Sequence, residues 1–253
     1  RIIEDRRTRL MTIILSPLVP CAARLAVIAF LAPAFFGPHA AIVTWGLVTF
    51  NIVILGLLGM VIHRVGFSEE DSAFIMELPL YHWPNARTIG LFVWHNTVAF
   101  IRKAGTIILI FSILIWALAT LPTGKVEQSA LAWLGRALTP IGRWMGWTDW
   151  RLITALLSSF AAKENTIVAL GILYRGEGME LARRVALTLT PAAALAFLVV
   201  QMLFIPCAAT TAIIRQEAGS WKWSALSVGL LLVVSLVAGV IVYQAFALLG
   251  LGV

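Results

Sequence analysis

Leu203-Phe204-Ile205-Pro206-Cys207-Ala208-Ala209-Thr210-Thr211 is the stretch on which the fold turns. It lies inside a long apolar run, yet it carries a proline and a cysteine side by side. It has an echo near the start, Leu18-Val19-Pro20-Cys21-Ala22-Ala23-Arg24. The two copies of Pro-Cys-Ala-Ala hold both cysteines of the chain. A proline within a helix has no N–H to donate and releases the carbonyl four residues earlier. That carbonyl is Met202 for Pro206 and Ser16 for Pro20. At membrane depth, free backbone is tolerated where it is buried in protein or lines a watery cavity. Helix breaks in corresponding places of two halves point to a transporter's binding site. Each break also sets a thiol beside carbonyl oxygen, a donor set suited to a soft or borderline metal ion.

Composition sets the solvent. The 253 residues are 60% hydrophobic and 12% charged, with a mean hydropathy of +0.94. Soluble domains carry about 25% charged residues, so this is an integral membrane protein. The net charge of +7 fits basic membrane flanks better than nucleic acid. Two cysteines in apolar runs make no disulfide framework. The chain opens Arg1-Ile2-Ile3-Glu4-Asp5-Arg6-Arg7, without a starting Met or a cleavable signal pattern, which suggests a piece of a longer protein.

The expected fold is all-α: one membrane domain over residues 1–253, a polytopic helical bundle with two Pro-Cys broken helices around 9–36 and 186–214. The apolar runs 41–62, 98–120 and 224–249 read as whole spans. Residues 152–174 read as another, with Lys163-Glu164-Asn165-Thr166 in its middle. Residues 123–151 alternate Trp, Gly and Arg, and Trp133, Trp144, Trp147 and Trp150 suit the headgroup level. Six crossings put both ends on one side. That side holds eleven basic residues: Arg1, Arg6, Arg7, Arg9, Arg64, Arg87, Arg102, Lys103, Arg175, Arg183 and Arg184. The other side holds six: Lys125, Arg136, Arg143, Arg151, Arg215 and Lys222. The positive-inside rule then makes both ends cytoplasmic.

Cys21 and Cys207 are the first candidates for chemistry; the alternative is that each is a small buried hydrophobe. Their shared setting after Pro20 and Pro206 favours pore-lining or metal-ligating roles equally with packing. Glu164 follows, because an ionisable residue at the centre of a span is costly and faces protein or water. Lys163 is its neighbour; it either snorkels or pairs with a carboxylate on another helix. Asn165, Thr166 and Thr210 add hydrogen-bonding capacity. Glu77 lies in the Pro-bounded run Met76-Glu77-Leu78-Pro79 and reads from composition as a solvated carboxylate. Arg24, four positions after Pro20, is expected to pair with Glu77 or Glu164. The four histidines lie near span ends without metal-ligand spacing. No Gly-x-x-x-x-Gly-Lys-Ser/Thr phosphate loop is present, so nucleotide hydrolysis by that route is excluded for this segment.

At these residues the chain resembles the membrane part of the bacterial ferrous-iron transport protein B family. Arg9-Leu10-Met11-Thr12-Ile13 through Pro20-Cys21-Ala22-Ala23-Arg24-Leu25 resembles the first gate motif, and Ile205-Pro206-Cys207-Ala208-Ala209-Thr210 the second. Met76-Glu77-Leu78-Pro79, Lys103-Ala104-Gly105-Thr106-Ile107 and Ala162-Lys163-Glu164 with Leu170-Gly171 and Tyr174 resemble family segments in the same order. Where the family usually has Pro and then an aromatic after Arg-Leu, this chain has Ala26 and Ile28. The resemblance implies GTP-dependent uptake of Fe(II) across the bacterial inner membrane, with the two gate cysteines near the ion path. It implies no cofactor in the chain itself. GTP and Mg would act through a cytoplasmic GTPase domain that lies N-terminal in the family. The expected partners are the lipid bilayer, Fe(II), that GTPase domain, a small cytoplasmic protein of the same system and a second copy of the chain, with no nucleic acid. Two other readings compete: a gate-domain transporter of a nucleoside-like substrate, which would favour aromatics and amides over thiols, and a membrane scaffold without flux.

Overall fold

The computed structural model describes residues 5–66, 83–121, 124 and 128–250. Among the described residues the regular structure is helical, with no strand. Helix α1 (Arg6–Leu15) is capped by Asp5, whose carboxylate accepts from the Thr8 backbone N–H at 2.7 Å. It passes through a 3-10 turn, Ser16–Leu18, into extended backbone at Val19 and Cys21, and α2 (Ala22–Phe36) continues beyond. A turn at Gly37–His39 leads into α3 (Ala40–Gly66). Then come α4 (Ala86–Thr120), α5 (Ala130–Arg143), α6 (Trp150–Ser158), α7 (Asn165–Tyr174) and α8 (Gly178–Ala186). The chain closes with α9 (Pro191–Leu203), α10 (Ala208–Ala218) and α11 (Trp221–Leu248).

The centre of the bundle is α9. Its residues Ala192, Ala193, Ala194, Phe197, Leu198 and Val200 through Leu203 are all buried, as befits a helix apolar on every face. The long α11 packs along it. Gly239 permits the approach, because a Cβ there would meet Val200 Cγ2 at 2.4 Å; small residues let membrane helices close in this way. Ile42, Trp45, Met60, Phe92, Trp94 and Trp116 on α3 and α4 point outward, as a lipid-facing perimeter requires. Among the described residues, Arg6–Arg64, Pro191–Ala218 and Trp221–Leu248 are long and apolar enough to cross a membrane. The first of these is divided by the break before Ala22 and the turn before Ala40.

Residues 152–174 do not form one span. They are two half-length helices, α6 and α7, of nine and ten residues, or about 14 and 15 Å at 1.5 Å per residue. The hydrocarbon core is about 30 Å thick. The two pack against each other, and the hydroxyl of Tyr174, at the end of α7, donates to the Asp149 carboxylate at the start of α6 at 2.7 Å. The segment therefore goes in and comes back, with Ser159 to Glu164 at its tip.

The hairpin changes the topology. Its open end lies beside Trp147, whose indole N–H donates to the Ala193 carbonyl at the start of α9, and beside Tyr243 near the end of α11, which packs on Gly146. Helix α1 lies at the opposite end. The Ser227 hydroxyl of early α11 donates to the Ile14 carbonyl at 3.1 Å, and α1 also touches α10. The N-terminal helix and the last turn of α11 thus sit at opposite ends of the bundle, and the six-crossing count with both ends on one side does not hold. Moving the hairpin carries Arg175, Arg183 and Arg184 to the end with Arg136, Arg143 and Arg151, and places Arg215 and Lys222 with Arg6, Arg7, Arg9 and Arg64. The basic residues that the packing places are then evenly divided. Trp147 is a second correction: it is 1% exposed and packs edge-on against Phe197, while Trp133 and Trp144 are exposed as expected for the headgroup level.

Candidate functional site

Three interruptions of the backbone meet in the middle of the bundle: the two Pro-Cys breaks and the tip of the α6–α7 hairpin. Both cysteines are N-caps, Cys21 of α2 and Cys207 of α10, each in extended backbone. Neither sits inside a continuous helix, because Pro20 and Pro206 cannot continue the turn before them. Cys21 is exposed and Cys207 partly so. The Cys207 sulfur lies 3.2 Å from the Thr210 hydroxyl, and the Thr211 hydroxyl donates to the Cys207 carbonyl.

The carbonyls released at these breaks are taken up by side chains from elsewhere. The Arg24 guanidinium donates to the carbonyl of Pro17 in its own break and to that of Phe204 in the other, at 2.7 Å. The Lys163 ammonium donates to the Ile205 carbonyl at 2.6 Å and lies 5.0 Å from the centre of the Phe204 ring. The Asn51 amide of α3 donates to the Leu18 carbonyl at 2.7 Å. The backbone N–H of Ala208 donates to the Phe160 carbonyl of the hairpin tip at 2.7 Å. Arg24 and Lys163 are 2% and 3% exposed, so both cations are desolvated, and hydrogen bonds from a charged donor are the strong kind. Both are electrostatic neighbours of each other and of the two thiols.

These contacts revise the sequence expectations for the cations. Among the described residues neither Arg24 nor Lys163 pairs with a carboxylate, Glu164 included; each donates to backbone carbonyls, which the helix breaks supply and an intact helix would not. Glu164 is exposed at the start of α7 rather than buried in the middle of a span, and caps nothing with its side chain. Asn165 is partly exposed and begins α7; its carbonyl accepts from Ser158 at 3.3 Å. Thr210 is beside Cys207. Glu77, with the rest of the Met-Glu-Leu-Pro segment, lies outside the described residues. Among the described residues no three His, Cys, Asp or Glu side chains group as metal ligands. Two residues escaped the sequence reading, Asn51 and Gln201. Both are fully buried. Gln201 donates to the Thr166 hydroxyl of the hairpin at 3.0 Å, and the side-chain oxygens of both amides lack a donor. A lone amide in an apolar run was the available signal.

Comparison with known proteins agrees over nearly the whole chain. Residues 44–96 match the model described as ferrous iron transport protein B C terminus, and residues 101–221 match a gate model described as nucleoside recognition. The Fe(2+) transporter FeoB of Methanocaldococcus jannaschii is 33% identical over 96% of this chain and 38% of its own length. That of Staphylococcus aureus strain COL is 34% identical over 96% of this chain and 37% of its own length. A Porphyromonas gingivalis protein, named as a fusion of Fe(2+) transport protein A with Fe(2+) transporter FeoB, is 31% identical over 90% of this chain. The chain thus spans about two fifths of the length of the curated relatives it matches. No solved structure matches it.

Proposed function

The chain belongs to the ferrous iron transport protein B family as its membrane part, and on that premise we propose that it forms the path by which Fe(II) crosses the membrane. The observation that carries the reading is the meeting of two thiol-bearing breaks and a third backbone interruption at one depth of the bundle. Fe(II) is intermediate in softness and accepts sulfur together with oxygen. Cys21 and Cys207 supply the sulfur, and Pro20 and Pro206 keep the backbone beside them open. Thr210 holds Cys207. Glu164 and Asn165 line the approach, Glu164 offering a hard carboxylate oxygen, and Glu77 is assigned to the transport path on its family segment alone. Lys163 and Arg24 shape the breaks.

The energy source lies outside the chain, in a cytoplasmic GTPase domain with its own GTP and Mg. That domain precedes the membrane part in the family, so the α1 end of the bundle faces the cytoplasm of the bacterial inner membrane and the end of α11 faces outward. The fused relative favours a small transport-protein-A-like partner. The names of the curated relatives favour iron over a nucleoside, although the gate model is described as nucleoside recognition. The test is anaerobic uptake by proteoliposomes holding the full-length protein, with Fe(II), Mn(II) and a nucleoside offered separately. Fe(II) accumulation that needs GTP and falls in Cys21→Ser and Cys207→Ser is the expected result. Nucleoside uptake without metal uptake would overturn it.

A further inference from the structure

Three hydrogen bonds tie the α6–α7 hairpin to the second break and the helix before it. One is backbone, Ala208 N–H to Phe160 carbonyl. One lies a turn away, Gln201 to Thr166. Another is the Lys163 ammonium on the Ile205 carbonyl. The hairpin is too short to cross, so both its ends lie together, where Tyr174 meets Asp149. A re-entrant element of this kind can withdraw as a unit. Its tip places a positive charge against a carbonyl oxygen one residue before Pro206 and two before Cys207. A divalent cation seeking that oxygen meets a cation already there.

We propose that Lys163 is the latch of an internal gate: the α6–α7 hairpin closes the second Pro-Cys break by setting its ammonium on the Ile205 carbonyl, and its withdrawal opens that oxygen and the Cys207 thiol to the transported cation. This deepens the iron-path reading and rests on it for the identity of the cation. Charge accounts for the exchange. The Lys163 ammonium puts one positive charge on the Ile205 carbonyl, and its withdrawal leaves that oxygen without a donor in a desolvated place. A divalent cation restores positive charge at the same oxygen, while Arg24 keeps its own hold on the Phe204 and Pro17 carbonyls. The Gln201 amide oxygen, buried and without a donor, sits on the turn of α9 that the hairpin touches and is a further acceptor for the arriving ion.

The experiment uses the full-length protein in native membranes, with Cys21→Ser so that Cys207 is the reporter thiol among the chain's own cysteines. Its alkylation rate by a small water-soluble maleimide is compared in the otherwise unchanged protein, in Lys163→Met and in Lys163→Arg. Lys163→Met should raise the rate about tenfold or more, the scale of one lost charge-assisted hydrogen bond, and Lys163→Arg should restore slow labelling. Equal rates in folded protein overturn the latch. This readout involves no metal, so it stands if the iron reading fails. Should Lys163→Met fail to fold, Lys163→Gln takes its place, keeping a donor for the Ile205 carbonyl without the charge. It should also label faster than the otherwise unchanged protein, and an equal rate in folded Lys163→Gln overturns the latch.

Discussion

The two Pro-Cys breaks share four residues and differ in what holds them. The first is tied by its own helix: Arg24 of α2 reaches back to the Pro17 carbonyl, and Asn51 of the neighbouring α3 takes Leu18. The second has no cation of its own; Phe204 is held by Arg24 from the first break, Ile205 by Lys163 from the hairpin. Position follows the same division. Cys21 is exposed, whereas Pro206 is buried behind α9, the most enclosed helix of the bundle. One sequence motif therefore makes two devices: a self-supported break at the margin, and a central break whose shape depends on two other elements. Dependence on a distant donor is what makes the second break switchable.

The strongest way to break this comparison is Arg24→Ala, which removes both ties at once and leaves the Pro17 and Phe204 carbonyls desolvated. The loss should be roughly 3–5 kcal/mol for two hydrogen bonds from a charged donor, seen as a lower melting temperature in detergent. Arg24→Lys should fall between. Wild-type melting of the alanine variant would mean that the breaks stand independently. A smaller effect separates the packing of the two halves. Gly239→Ala forces a methyl to within 2.4 Å of Val200 and should cost about 1–3 kcal/mol by overpacking. Gly59→Ala meets Leu15 at an ordinary 3.8 Å and should be neutral or stabilising by up to about 1 kcal/mol, since alanine favours a helix over glycine. Equal effects would show that the margin is packed as tightly as the centre.

Smaller still is the difference between the thiols. Cys21 should alkylate faster than Cys207 in intact membranes, and serine at either place should leave the melting temperature nearly unchanged, the thiol acting as a small apolar group. A faster Cys207 would reverse the assignment of margin and centre. The smallest effect on stability is expected for Glu164→Gln. An exposed carboxylate that caps no helix end should shift stability by no more than about 0.5 kcal/mol. Uptake of Fe(II) by the same variant should nevertheless fall, because the charge stands beside the latch. Unchanged uptake would remove Glu164 from the ion path.

How far the chain could be read from its residues follows from the kind of signal each break leaves. Pro20 and Pro206 announce themselves, because no other residue removes both a donor and the room for a helical turn, and the helices do stop there. The hairpin tip has no proline. Its signal was Ser158-Ser159 and Lys163-Glu164 inside an apolar run of span length, and length won the reading although two half-length helices fill the same number of residues. That Arg24 and Lys163 hold backbone carbonyls was missed for a related reason. Rules for buried charge point to carboxylates, yet a broken helix exposes carbonyl oxygens that serve as well and that no sequence pattern marks. Trp147 looked interfacial beside three other tryptophans; its indole N–H finding the Ala193 carbonyl let it enter the core, as a buried tryptophan must find a partner for that group.

The half-length hairpin also sets an order of assembly. Residues 150–174 leave the ribosome before Pro191–Ala218 and Trp221–Leu248 exist, and neither α6 nor α7 is long enough to be inserted as a stable span. Their polar tip has nothing to dock on until Ile205 and Ala208 have been made and brought into the bilayer. The hairpin must therefore wait, at the membrane surface or half inserted, for α9 to α11 to arrive. In this segment folding runs out of step with synthesis, because the hairpin seats only after helices translated later than itself.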